Sequence, residues 1–82
     1  MKYPIYITRD KIKGFIPNLF LDVNEQSAVR GFSYQINNES YMNYSPTDYD
    51  LFQVGILDTE SGIIEENSPK FIVNGGSVFN EK

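Results

Sequence analysis

Residues 51 to 64, Leu-Phe-Gln-Val-Gly-Ile-Leu-Asp-Thr-Glu-Ser-Gly-Ile-Ile, commit the chain to an antiparallel pairing. Leu51 to Leu57 is an apolar run broken only by Gln53 and Gly55, which suits a strand better than a helix. Asp58-Thr59-Glu60-Ser61-Gly62 is a tight turn, and Gly62 can take the positive φ that closes a hairpin loop. Ile63 and Ile64 begin the return strand, and Glu65-Glu66 end it in solvent. Ahead of the hairpin, Ser45, Pro46 and Asp48 read as one helical turn: a cap, a first helical residue and an acid three places on from the cap.

The hairpin needs a layer to cover it, and 82 residues predict one domain, 1–82, that is only marginally stable alone. There is no cysteine for a disulfide or thiolate metal site and no histidine for metal ligation or general base catalysis. Six Phe and six Tyr offer a dense aromatic core, and the remaining way to strengthen so short a chain is self-association, a homodimer above all. No cofactor is expected. Asp58-Thr59-Glu60 and Glu65-Glu66 read as solubilising turns without metal-loop spacing, and Gly75-Gly76 lacks the lysine and context of a phosphate loop, so the chain does not read as an enzyme. No apolar run approaches a membrane span or a signal peptide, which makes the cytoplasm the expected location.

Upstream, Tyr3 to Thr8 reads as a first strand, with Pro4 at its start. Arg9 to Gly14 is a polar connection with Gly14 as its turn residue. Phe15 to Leu21 contains Pro17 and predicts an irregular or edge strand. Asn24 is a good helix cap, and Ala28, Val29, Phe32 and Ile36 share one helical face, so a helix is expected to run to about Asn37 or Asn38. Asn38 to Tyr44 is a polar loop. Asn67-Ser68-Pro69 is a further turn before a strand Phe71–Val73, and after Asn74-Gly75-Gly76 the segment Ser77–Phe79 is expected to pair back. The last three residues are expected to fray. The fold class is therefore α+β: one helix on a small, mainly antiparallel sheet of four to five strands, in the order β-β-α-β-β-(β). Ile5, Ile7, Phe20, Ala28, Val29, Phe32, Ile36, Leu51, Val54 and Ile72 are the expected core.

Asp48-Tyr49-x-Leu51-Phe52-x-x-Gly55, then Asp58, Glu60 and Gly62, form one ordered pattern. Asn24-x-x-Ser27-Ala28-Val29-Arg30-x-Phe32, with Asn37 after it, forms a second, and Asp10-Lys11 follows the first strand. Taken in order across residues 3 to 74, these resemble the small non-structural protein of gokushovirus-type microviruses, the tiny single-stranded DNA phages. The resemblance implies a bacteriophage accessory protein, DNA-binding or replication-associated, in the host cytoplasm.

Net charge is −4, which disfavours strong binding to phosphate backbones, but its distribution is uneven. Residues 1 to 30 carry five cations against three acids, and residues 31 to 82 carry two against eight. A nucleic-acid site would therefore use Arg9, Lys11 and Lys13 with Arg30. Lys11 and Lys13 would share one side of a local strand, and Tyr3, Tyr6 or Tyr34 would stack on bases. Tyr41 and Tyr44 are further aromatics outside the core pattern. Three functions stay open: single-stranded DNA binding in genome replication or packaging, a protein-interaction module engaging a host or viral protein, and a nucleotide-binding oligomer. The competing reading of the same residues is that the tyrosines are core or dimer contacts and the lysines keep the chain soluble.

Overall fold

The computed structural model describes residues 1–80; Glu81 and Lys82, on which part of the expected terminal fraying falls, lie outside the described residues. The fold is α+β, a curled antiparallel sheet of five strands with one main helix. Strand β1, Lys2–Asp10, lies at its centre. Along one side β1 pairs with β4, Tyr49–Asp58, from Lys2 opposite Asp58 to Asp10 opposite Tyr49. Along the other it pairs with two short pieces, β2 (Gly14–Phe15) and β3 (Phe20–Leu21), which are the irregular edge that Pro17 predicted. Strand β5, Ile64–Asn74, pairs with β4 and forms the opposite edge.

The hairpin forms as its sequence dictates. Gly62 closes the β4–β5 turn at φ 73 and Gly14 the β1–β2 turn at φ 102. Asp58 accepts from the Glu60 backbone N–H at 2.9 Å, and this bond, ahead of a second from Ser61, holds its carboxyl below the usual range. Ser45 makes no side-chain cap bond, so the 3₁₀ turn Pro46–Asp48 is closed by backbone alone: the Asp48 N–H donates to the Ser45 carbonyl at 3.0 Å and the Tyr49 N–H to the Pro46 carbonyl.

Helix α1, Glu25–Asn38, starts where Asn24 Oδ1 accepts the Ser27 N–H at 2.8 Å. Its apolar face is fully buried at Ala28, Phe32 and Ile36. With Tyr6, Met42, Tyr49 and Leu51 these form the core, and Phe20, Val29 and Ile72 pack half-buried at its margin. Strand alternation explains the expected core residues that lie elsewhere. Tyr6 and Thr8 point at the helix layer, so Ile7 belongs to the opposite face. Ile5 is buried on that face too, outside the helix-side core. Val54 is the extra residue of a bulge, because Ile5 pairs with Gly55 and Tyr6 with Gln53.

Four expected segments form differently. β1 continues through Arg9 and Asp10, because Arg9 finds a partner on both sides, Asp50 in β4 and Phe15 in β2. The polar stretch after α1 contains a helical turn, α2 (Ser40–Asn43), pinned by the buried Met42. Asn67-Ser68-Pro69 is an irregularity inside β5 rather than a turn, with the Asn67 side chain donating to the Gln53 carbonyl at 3.2 Å; an outer strand tolerates the missing N–H of Pro69. Finally, Gly75–Val78 is a short helix, α3, rather than a returning strand. Asn74 caps it by accepting the Gly76 N–H at 2.8 Å, and the Val78 carbonyl accepts from the Asn37 side chain of α1 at 2.9 Å.

Candidate nucleic-acid interface

The structure distributes the expected contact residues over three surfaces. Arg9 projects from β1 onto the sheet face away from α1. Its Nη2 donates to Asp50 Oδ2 at 2.9 Å, and its guanidinium lies over the Phe52 ring at 4.8 Å and the Phe15 ring at 5.9 Å. Asp50 is 2 % exposed and also accepts from the Asn74 side chain at 2.9 Å. Arg9 is thus already paired and stacked, not a free phosphate ligand. Tyr3 lies half-buried near the start of the same strand. Tyr6, expected to offer its ring to a base, is 1 % exposed and stacked on Phe20 at 5.6 Å; burial is the main cause that raises its hydroxyl pKa. Arg30 and Tyr34 stand one helical turn apart on the exposed face of α1.

Lys11 and Lys13 lie in the turn between β1 and β2 rather than on one side of a strand. Asp10 Oδ1 accepts the Ile12 N–H at 2.9 Å, and the Lys11 N–H donates to the Asp48 carbonyl at 2.8 Å, so the turn is tied down at its base. All three tip residues are exposed, Ile12 by 79 %.

Beside this tip runs a groove that the basic pattern alone did not reveal, with Asp10, Lys13, Phe15, Pro17, Tyr41 and Tyr49 among the residues that line it. Helix α2 supplies it: burying Met42 sets the 58 % exposed Tyr41 edge-on to Tyr49, with ring centroids 6.1 Å apart. The Tyr49 hydroxyl donates to the Tyr41 carbonyl at 3.5 Å, and burial, followed by the nearby Asp10, pushes its pKa above the ordinary value. The lone apolar Met42 in a polar stretch was the sequence signal for this placement. What the groove and tip offer chemically is two exposed aromatic rings, Tyr41 and Phe15, beside the buried Tyr49, and two cations, with the Asp10 carboxylate close by. Among the described residues no three carboxylates gather as a metal site, and no helix is long and apolar enough to cross a membrane.

Fold and surface define a small α+β protein whose antiparallel sheet is covered by a helix on one face and open on the other. The chain belongs to the phage ORF5 protein family, whose family model matches residues 3–78. No curated protein and no solved structure matches it.

Proposed function

We propose that this phage accessory protein, of the kind carried by gokushovirus-type microviruses, binds single-stranded DNA during genome replication or packaging. The observation that supports this most is the groove in which Tyr41 is exposed beside Lys13 and the Lys11–Lys13 tip. Single-strand binders combine cations along the backbone path with aromatic rings under the bases, and a stacked ring contributes about 1–3 kcal/mol. The family membership adds a phage context. With a net charge of −4, affinity is modest and falls steeply with salt.

Titration of a fluorescent single-stranded oligonucleotide at two salt concentrations tests the reading. Lys11→Ala with Lys13→Ala should weaken binding and lower the salt slope by about 0.7 for each phosphate no longer neutralised. Tyr41→Ala should weaken binding with the slope unchanged. A double variant that keeps both affinity and slope puts any site elsewhere. The second reading, engagement of a host or viral protein, draws on the acidic far end of the hairpin, where Glu60, Glu65 and Glu66 are exposed. It takes the lead if the wild-type protein binds no oligonucleotide at low salt.

A further inference from the structure

A second, smaller hollow of about 50 Å³ adjoins the groove and shares Ile16 and Tyr41 with it. Phe20 and Met42 give it apolar walls. Three polar residues from separate elements also line it: Thr8 of β1, Asn18 of the β2–β3 connection and Gln35 of α1. Their backbones are committed. The Thr8 carbonyl accepts the Ile16 N–H at 2.9 Å, the Asn18 N–H donates to the Ile16 carbonyl at 2.7 Å, and the Gln35 carbonyl accepts the Glu39 N–H at 2.9 Å. Their side chains are not: none of the three has a hydrogen-bond partner among the described residues. Thr8 is only 7 % exposed, and a buried hydroxyl without a partner is costly unless water or a ligand supplies one.

We propose that this hollow reads the edge of a base. A nucleobase stacked on Tyr41 turns its hydrogen-bonding edge to Thr8, Asn18 and Gln35, and cytosine, which carries an exocyclic amine, is preferred to uracil or thymine. This rests on the single-stranded DNA reading of the adjoining groove. No charged side chain lines the hollow among the described residues, so it suits a neutral polar group rather than a phosphate. Its volume holds one or two waters, which an exocyclic group can displace while the ring stays outside on Tyr41.

The two amides alone would not choose between bases, because an amide both donates and accepts. Asp10, in the groove, decides the polarity. Its Oδ1 takes the Ile12 and Lys13 N–H groups at 2.9 and 3.4 Å, and its Oδ2 has no donor among the described residues. A carboxylate only accepts, so it attracts the cytosine amine and repels the carbonyl that uracil and thymine present in its place.

Titration of the full chain with fluorescent oligo(dC) and oligo(dU) of one length, at one low salt concentration, tests this. The two pyrimidines stack with rings of the same size and differ in the edge they present. The wild type should bind oligo(dC) about ten-fold more tightly, the size of one well-made edge contact. Asp10→Asn and Thr8→Val should each bring the two affinities toward equality; taking their ratio cancels any effect of the Asp10 charge on phosphates. Gln35→Ala, at an exposed helix position, gives the same reading should Thr8→Val not fold. Equal wild-type affinities overturn the inference and leave single-strand binding standing. So does a preference that survives both hollow substitutions while both affinities fall together, the mark of a structural water site. A wild type that binds neither oligonucleotide overturns single-strand binding and the base-reading hollow with it.

Discussion

Asp50 shows how one residue can hold several elements in register. It is buried, yet it meets a guanidinium from β1 and an amide from β5, and that amide donates further to the Thr47 carbonyl at 2.9 Å. Asp50→Ala would leave Arg9 without its anion and the Asn74 amide with only the Thr47 and Tyr49 carbonyls as acceptors. The expected loss is about 1–3 kcal/mol by chemical denaturation, below the 3–5 kcal/mol of a fully buried pair because the Arg9 side chain is 38 % exposed. A variant of unchanged stability would mean that solvent already satisfies these groups. Gly75 does related work by having no side chain. A Cβ there would run into the Pro46 carbonyl and Ile36, so α3 can lie close over the 3₁₀ turn only because the position is glycine. The sequence offered Gly75 as a turn signal, and nothing local to it distinguishes a turn from a close approach.

At the scale of elements, the main helix was legible because its signals are local: the Asn24 cap and the spacing of Ala28, Phe32 and Ile36. Phe32, with none of its surface exposed, carries the prediction. Phe32→Ala should cost roughly 3–5 kcal/mol, a loss that thermal unfolding would register as a fall of at least about ten degrees or as failure to fold. An unaltered melting temperature would mean that the helix packs otherwise. The strands were legible in place but not in facing. A single unpaired residue at Val54 shifts the pairing between β1 and β4, and no feature near Val54 in the sequence announces it. The buried rings of Tyr6 and Tyr49 were missed for a related reason. A tyrosine in a strand reads equally well as core or surface until its neighbours are known. Met42 fixes α2 by tertiary burial, against a polar local sequence.

At the scale of the whole molecule, the basic residues of the first third are neighbours in sequence and not in space, because alternation along β1 and the turn after it send Arg9 one way and Lys13 another. The candidate site was therefore legible only as the lysine pair, and the Tyr41 groove beside it depends on a helical turn that the sequence did not display. The molecule is also longer than a compact chain of its size. Its radius of gyration is 13.0 Å, against about 12 Å expected for a compact domain of this length. The excess belongs to the far half of the hairpin, where every residue from Thr59 to Phe71 is exposed and Asn67, Ser68 and Pro69 have no opposite number in β4. Such a segment opens without disturbing the core. In deuterated buffer, the β5 amides between Ile64 and Lys70 should exchange by local opening, orders of magnitude faster than those around Phe32 and Leu51, which wait for global unfolding. Uniform protection along β4 and β5 would refute this two-rate pattern. Time therefore divides the chain differently from the way sequence does: a slow body around the helix carries a fast arm, and binding events that order the arm would be felt first in its exchange rates.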